Sequence, residues 1–275
     1  MKIGEFDIHA LSDGTFALDG GQMFGVVPKV LWEKKLPADA RNRVRLALTC
    51  LLIQTGKLNI LVETGIGDKL GARLADIYGV DHTTNLPSEL KKRGLELSDI
   101  HIVINTHLHF DHCGWNTKRD GGKLVPSFPQ ARYLVQRGEW EHAVHPTERD
   151  RGSYIQDFFL AAEKQTEFLN GNSEVVPGIR LEVVPGHNRD MQCVRIESRD
   201  QQAYFISDLV PTHAHLRPAW IMSFDLYPLE TLSNKQRLLP QLAEQEALVI
   251  FPHDVETPWV RLIESEGKIA AEPVE

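Results

Sequence analysis

Three histidines and an aspartate lie within six consecutive positions of the segment THLHFDHCG, residues 106–114. In an extended chain alternate side chains share a face, so His107, His109 and Asp111 point the same way. The adjacent His112 reaches the same point if the chain turns there. Neutral imidazole and carboxylate groups suit Zn, Mn or Fe as divalent ions. The segment therefore predicts a metal site, in which Asp111 is also a potential proton carrier.

The spacing of this cluster argues against a helix, because side chains two residues apart on a helix do not face each other. The preceding apolar run IHIVINTH predicts a strand that presents the histidines at its carboxyl end. Gly114 follows the cluster and predicts a turn, since glycine adopts turn conformations at little cost. A chance grouping of surface histidines is the alternative, and motif matches always carry that risk.

Three later positions offer the further ligands that one short segment cannot supply. His187 follows a Pro-Gly turn in LEVVPGHN, Asp208 ends the strand-like run AYFISDLV, and His253 ends LVIFPHD. Each of them alone has an ordinary alternative as a cap or a solvated turn residue. Open sheets bind ligands at the carboxyl ends of their strands, so the three together predict additional ligands for the same site.

The elements that must position these side chains are mostly strands. The start of the chain, KIGEFDIHALSDGTFALDG, alternates apolar and polar residues and predicts a hairpin that turns at SDG. LALTCLLIQTGKLNILVETG predicts two neighbouring buried strands. The further predicted strands, ending in a C-terminal pair, are ARYLVQ, VVPGIRLEVVPGH, MQCVRIES, QAYFIS, ALVIFPH and WVRLIESEGKIAAEPVE.

Helices are predicted at three places. LPSELKKRGLEL indicates a short helix with Ser88 as its N-cap and Gly94 as its stop. An approximate apolar stripe predicts a second helix near residues 153–169, and a third is expected over residues 229–245. His213 and His215, which precede the third helix, are expected to be polar loop residues.

Residues 20–44, GGQMFGVVPKVLWEKKLPADARNRV, show no period and predict a long loop. Met23, Phe24 and Trp32 are expected to be exposed on it. Met23 and Phe24 are therefore candidate substrate-binding residues in the wall of an apolar pocket. The alternative is that the loop packs on a neighbouring subunit.

The composition excludes several classes of protein. A net charge of −8 over 275 residues, without a long basic cluster, argues against a nucleic-acid partner. No apolar stretch is long enough to span a membrane, and acidic residues stand where a signal peptide needs an apolar core, so a cytoplasmic protein is expected. Cys50, Cys113 and Cys193 are odd in number and widely spaced, which favours reduced thiols. Without a linker or repeat, residues 1–275 are expected to form one domain.

The order HxHxDH, PGH, strand-end Asp and strand-end His resembles the metallo-β-lactamase fold superfamily of metallohydrolases over most of the chain. The resemblance implies an α/β (α+β) fold: a four-layer αββα sandwich of two mixed β-sheets with helices outside. It also implies two divalent metal ions, Zn in the first place, with Mn, Fe or Co as alternatives. The implied ligands are His107, His109 and His187 for one ion, Asp111, His112 and His253 for the other, and Asp208 as the bridge.

Within the superfamily, the long N-terminal loop, THLHFDHCGWNT and SDLVPTHAHLRPAWIMSFDLYP are most similar to one branch. It contains quorum-quenching N-acyl homoserine lactonases, arylesterases and organophosphate hydrolases. The similarity implies a binuclear metal-dependent hydrolase in which a hydroxide shared by the two ions attacks a small-molecule lactone or ester. Asp111 would then pass a proton to the leaving alkoxide. A homodimer is a further implication.

The chain departs from the common family pattern at four places. Glu63 stands where an aspartate is usual, Ser207 where a glycine is usual, and Trp115 where a second glycine is frequent. PGHNRD replaces the familiar PGHTPG. None of these changes removes a ligand, but they leave the shape of the pocket, and hence the substrate, open.

Other activities remain as alternatives. An arylesterase or organophosphate triester hydrolase would use the same ligands. A persulfide dioxygenase with a single iron shares HxHxDH, although a complete second ligand set argues against it. A thioester-hydrolysing glyoxalase should carry a helical C-terminal extension, and a nuclease should have a basic face. A closed structural zinc site uses four ligands, fewer than the seven available here.

Overall fold

The computed structural model describes residues 1–265 and 267–274. Its strands are β1 (Lys2–Ile3), β2 (Phe6–Asp19), β3 (Arg43–Gln54), β4 (Asn59–Val62), β5 (Ile102–Ile104), β6 (Thr117–Asp120), β7 (Lys123–Pro126), β8 (Arg132–Gln136), β9 (Thr166–Leu169), β10 (Ser173–Val176), β11 (Ile179–Val183), β12 (Gln192–Ser198), β13 (Gln201–Phe205), β14 (Leu248–Ile250), β15 (Trp259–Ser265) and β16 (Lys268–Pro273). Its α-helices are α1 (Gly20–Phe24), α2 (Lys29–Trp32), α3 (Ala72–Ile77), α4 (Leu86–Lys91), α5 (Arg137–Val144) and α6 (Pro228–Glu244).

These elements form two mixed seven-stranded sheets with flanking helices, which confirms the predicted fold class. The first sheet has the order β1-β2-β3-β4-β5-β8-β9, and the second has the order β10-β11-β12-β13-β14-β15-β16. In the first sheet β4, β5, β8 and β9 are parallel neighbours. In the second sheet only the β13–β14 pair is parallel among the described strands. β6 and β7 form a separate hairpin.

Apolar side chains of the two sheets meet in a layer between them. Ile8 and Ile60 of the first sheet belong to one buried cluster with Val194 and Phe205 of the second. Removal of this apolar area from water is the main favourable contribution to folding. The outer face of the second sheet packs on α6, whose buried positions recur every three to four residues, as in an amphipathic helix.

The predicted hairpin turn at SDG is wrong, because β2 runs through it as one strand with an irregularity between Ser12 and Thr15. Asp13 instead turns inward and is fully buried. Its carboxylate accepts hydrogen bonds from the main-chain N–H groups of Ile66, Gly67 and Leu86 at 2.8–3.0 Å. A buried carboxylate needs such donors, and here they connect three separate segments.

Two of the helix predictions are corrected. The N-cap of α4 is Asn85, whose side chain accepts from the Ser88 N–H, while Ser88 closes the capping box three residues later. Residues 153–169 do not form an α-helix. They contain short 3₁₀ turns at Gln156–Phe158 and Leu160–Gln165, followed by β9. The third predicted helix is confirmed as α6, and the C-terminal strand pair as β15 and β16.

The segment 20–44 differs most from its prediction. It contains α1 and α2, and Met23, Phe24 and Trp32 are buried in the core rather than exposed. The Trp32 ring lies against Gly20, where a Cβ atom would come within 2.3 Å of it, so the absence of a side chain makes room for the indole. Phe24 and Trp32 stack with centroids 5.1 Å apart.

Two further expectations concern membranes and thiols. Within residues 1–265 and 267–274, no helix combines the length and the apolar character that crossing a membrane requires. The three cysteines are free and buried.

Candidate metal centre

The predicted ligands come together at one edge of the sandwich, although they belong to both sheets. His107, His109, Asp111 and His112 lie in the loop after β5. His187 follows β11, Asp208 lies in the turn after β13, and His253 follows β14. Each segment follows the carboxyl end of its strand, which is the position expected from the sequence.

The HxHxDH segment is an irregular loop that folds back on itself. The N–H groups of His112 and Cys113 both donate to the carbonyl of His109. Gly114 closes the loop, but not by a left-handed conformation: a Cβ atom there would lie 2.0 Å from the carbonyl carbon of Ile66. Glycine is therefore required because two backbone segments touch.

The first ligand set consists of His107, His109 and His187, whose ring nitrogens lie within 4.8 Å of one another. His109 Nδ1 is 3.0 Å from His187 Nε2. Two nitrogens bound at about 2.0–2.1 Å to a tetrahedral ion lie about 3.3 Å apart. The observed separation is close to that value.

The second set consists of Asp111, His112 and His253, which also lie within 4.8 Å of one another. His112 Nε2 is 3.2 Å from His253 Nε2, and both nitrogens are 3.6 Å from Asp111 Oδ2. Glu63, His107 and His112 form a third, overlapping set, and their candidate ligand atoms also lie within 4.8 Å of one another.

Asp208 lies between the two main sets. Its Oδ2 is 3.4 Å from His187 Nε2 and 3.6 Å from His112 Nε2, and its Oδ1 is 3.2 Å from His253 Nε2. One carboxylate thus faces both sets, as the bridging role requires.

Partners outside the cluster hold two of the imidazoles so that their other ring nitrogens face the cluster. His253 Nδ1 is 2.8 Å from the carbonyl of Ala47, which can only accept, so Nδ1 carries a proton and Nε2 is the nitrogen that faces the cluster. His187 Nδ1 donates in the same way to the buried Asp225 carboxylate at 3.0 Å. Histidines that bind metals are commonly oriented through their other nitrogen.

The donor set fits divalent metal ions. His107 Nε2 is buried and has no hydrogen-bond partner among the described residues. A buried polar atom without a partner destabilises the folded state, and binding of a cation to this nitrogen would remove that penalty. The buried histidine and aspartate clusters are consistent with a site for two metal ions.

The pKa shifts of the cluster show that its buried carboxylates favour a positive charge beside them. Burial and the neighbouring imidazoles hold the pKa values of His107 and His109 well below their usual range, so both are in the neutral form that binds metals. Burial opposes charge on His112, but the nearby carboxylates outweigh it and raise its pKa. Burial likewise opposes the charge of Asp208, yet His112 and His253 lower its pKa well below the ordinary value.

The departures from the family pattern make specific local contacts. Glu63 and Ser207 both adopt left-handed conformations, with φ of 62° and 53°. Such strain in residues other than glycine concentrates at functional sites. The Ser207 hydroxyl is 2.7 Å from the hydroxyl of Thr106, which adjoins the first ligand. Trp115 donates through Nε1 to Asp13 at 2.7 Å.

Glu139 carries no signal in the sequence, yet its carboxylate holds the backbone of the HxHxDH loop. Its buried carboxylate accepts from the Leu108 N–H at 2.9 Å and from the Tyr154 hydroxyl at 3.1 Å. Asn188, from the unusual PGHNRD, donates to the same carboxylate at 3.2 Å. No local pattern marks Glu139 or Asp225, because each acts through a partner distant in sequence.

A cavity of about 220 Å³ opens above the cluster. Met23 lines it, as expected, whereas Phe24 is not among the described residues of the wall. Phe24 packs behind it, stacked on His215 with centroids 4.5 Å apart. The other lining residues are Leu18, Gln22, Tyr78, His109, Phe110, Asp111, Arg149, Gly152, Ser153, His187, Asp208, Met222, Phe224 and His253.

A larger cavity of about 590 Å³ lies beside α6, and none of the described residues that line it is a predicted ligand.

His215 is not the polar loop residue that the sequence predicts. It is fully buried, and burial lowers its pKa to about 3, so the ring is neutral. Its Nε2 donates to the carbonyl of Met23 at 2.9 Å, while Nδ1 accepts from Thr212. His215 therefore anchors the segment that carries the cavity wall.

Comparison with known proteins agrees with this architecture. A family model described as the Metallo-beta-lactamase superfamily matches residues 44–253. An N-acyl homoserine lactonase of Bacillus thuringiensis is 28% identical over 228 residues, which cover 78% of this chain and 83% of the relative.

Solved structures show the same fold. A "probable metal-dependent hydrolase" from Staphylococcus aureus is 33% identical, covers 100% of this chain and 99% of its own, and superimposes with a TM-score of 0.94. AidC, a dizinc quorum-quenching lactonase in complex with a product, is 20% identical with a TM-score of 0.84, over 100% of this chain and 96% of its own. At that identity the likeness to AidC concerns the fold alone.

Proposed function

The chain belongs to the metallo-beta-lactamase superfamily and is distantly related to the N-acyl homoserine lactonases, and from this we propose that it hydrolyses small acyl lactones or esters with two divalent ions, zinc in the first place. The observation that carries the proposal is the pair of three-residue ligand sets joined by Asp208 beneath a cavity that is partly walled by apolar side chains. Metal-dependent hydrolysis is what the family relation supports; the lactone or ester substrate is our proposal.

When bound, the two ions would supply a water activated near neutral pH and would polarise the carbonyl of the substrate. The residues of the chain hold the remaining parts of the reaction. His107, His109 and His187 would hold one ion, and Asp111, His112 and His253 the other, with Asp208 between them. Asp111 also lines the cavity, so its carboxylate can carry a proton to the leaving oxygen.

The cavity favours a compact substrate with an apolar part. Its volume of about 220 Å³ is below the usual range for drug-sized ligands, roughly 300–1,000 Å³. Met23, Phe110, Met222 and Phe224 provide apolar walls on several sides. A lactone ring with a short acyl chain, or an ester of similar size, matches both the volume and the walls.

The test combines metal analysis with a hydrolysis panel of acyl lactones, aryl esters and phosphotriesters. We expect two ions per chain and the highest kcat/KM on lactones. Hydrolysis of aryl esters or phosphotriesters alone would move the substrate to the arylesterase or organophosphate class. One iron per chain without hydrolysis would refute the proposal in favour of an oxygenase.

Variants connect the activity to the site. His109→Ala should lose metal and activity, and Asp208→Ala should fail to retain two tightly bound ions. The matched control is Asp157→Asn, an exposed carboxylate outside the cavity, which should keep both ions and full activity. A full metal content in His109→Ala would contradict the ligand assignment.

A further inference from the structure

Tyr78 lines the cavity above the metal centre, although it lies far from the ligand segments in sequence. Its ring stacks on Phe110 with centroids 4.9 Å apart and planes 19° from parallel. Phe110 stands between His109 and Asp111 in the HxHxDH segment. The stack therefore sets the position of the Tyr78 phenol relative to two of the predicted ligands.

The backbone of Tyr78 is firmly held. Its N–H donates to the carbonyl of Leu74 at 2.8 Å at the end of α3, and its carbonyl accepts from the Ala17 N–H of β2 at 2.6 Å. The guanidinium of Arg43 donates to the neighbouring carbonyl of Ile77 at 3.0 Å. These bonds fix the backbone at Tyr78, and the stack on Phe110 orients its ring, as the positioning of a catalytic group requires.

The hydroxyl of Tyr78 is available to a ligand. No described residue forms a hydrogen bond with it, whereas the hydroxyls of Tyr133, Tyr154 and Tyr204 each donate to a protein acceptor. Burial, with the Asp111 carboxylate as a second cause, raises the pKa of Tyr78. The phenol is therefore a neutral donor over the working pH range and cannot act as a base.

This inference rests on the proposed function. We propose that the Tyr78 hydroxyl donates a hydrogen bond to the leaving oxygen of a lactone or alkyl ester substrate. In the hydrolysis, the oxygen of water bonds to the carbonyl carbon, and the bond to the leaving oxygen breaks with its electron pair on that oxygen. Asp111 transfers the proton taken from water to this oxygen. Tyr78 keeps its own proton and stabilises the negative charge while it develops.

The test compares the zinc-loaded wild type with Tyr78→Phe, which keeps the ring stacked on Phe110. The substrates are N-hexanoyl homoserine lactone, whose leaving group is an alkoxide, and p-nitrophenyl hexanoate, whose leaving group needs little stabilisation. We expect kcat on the lactone to fall on the order of 100-fold, with a much smaller fall on the aryl ester. Metal content and the unfolding midpoint should not change. Tyr227→Phe removes a hydroxyl outside this cavity and should leave both rates unaltered.

A binding measurement separates this inference from the proposed function. Calorimetric titration with the ring-opened N-hexanoyl homoserine should show about 10-fold weaker binding to Tyr78→Phe than to the wild type, since one hydrogen bond is lost. A wild type that hydrolyses the lactone, with Tyr78→Phe equally active or equally impaired on both substrates, overturns the role of Tyr78 alone. A wild type that neither hydrolyses the lactone nor binds the product overturns the proposed function, and this inference with it.

Discussion

Replacing Lys235 with methionine should change how the stability of this protein depends on pH. Lys235, on α6, is only 1% exposed. Its ammonium donates to the carbonyls of His215, Arg217 and Trp220 at 2.6, 2.9 and 2.7 Å, and so holds the segment that packs behind the cavity. Burial lowers the pKa of Lys235 to about 7, against a smaller opposing effect of Asp225.

The sign of the effect follows from proton binding. A lysine in the unfolded chain has a pKa of about 10.4. Above pH 7 the unfolded state therefore binds more protons at this position than the folded state, and the free energy of unfolding rises with pH. Because the folded lysine is half protonated at pH 7, integration from pH 7 to 9 gives a gain of about 2 kcal/mol. The rise is complete only above about pH 10.4.

The assay is denaturant unfolding of the wild type and Lys235→Met at pH 7, 8 and 9, at one fixed zinc concentration. The methionine variant lacks this titration, so the difference in unfolding free energy should shift by about 2 kcal/mol in favour of the wild type between pH 7 and 9. Lys91→Met, at an exposed position of α4, is the control and should show no such shift. A difference that stays constant over this range would refute the reasoning, because the three carbonyls would then keep Lys235 charged throughout.

Three further predictions test the support of the site and of the core. Asp225→Asn should weaken zinc binding about 10–100-fold in a chelator competition, since it removes the carboxylate that orients the candidate ligand His187; unchanged affinity would contradict this. Gly114→Ala should lower the unfolding midpoint and the metal content because the new Cβ atom would clash with the backbone of Ile66. Gly71→Ala is the control: a Cβ atom there meets only open space, so both quantities should hardly change. Trp32→Ala should cost about 3–5 kcal/mol in denaturant unfolding, and Val26→Ala, which is 93% exposed, less than about 0.5 kcal/mol. Equal costs for the last two would mean that Trp32 is not a core residue.

The strands and the candidate ligands could be predicted from the sequence because the patterns that mark them lie within short segments. Apolar runs such as those of β3 and β5 indicate which residues are buried, and this holds regardless of which strand pairs with them. HxHxDH gathers four candidate ligands in one segment, and His187 and His253 each follow a recognisable strand. The spacing alone does not show which strand ends meet. The grouping of these residues into two ligand sets around Asp208 was therefore predicted from the resemblance to a family.

The tertiary structure alone decided the surroundings of the site, because these depend on contacts between residues distant in sequence. Met23 and His215, for example, are 192 positions apart, yet one hydrogen bond joins them. Phe24 and Trp32 are apolar residues in a stretch without period, so only the packing of α1 and α2 shows that they are buried. Tyr78 carries no local motif either, and it becomes a candidate only because its ring reaches the cavity beside Asp111. Metal ligands can be recognised by their own chemistry, whereas cavity walls and orienting partners are defined by what folds against them.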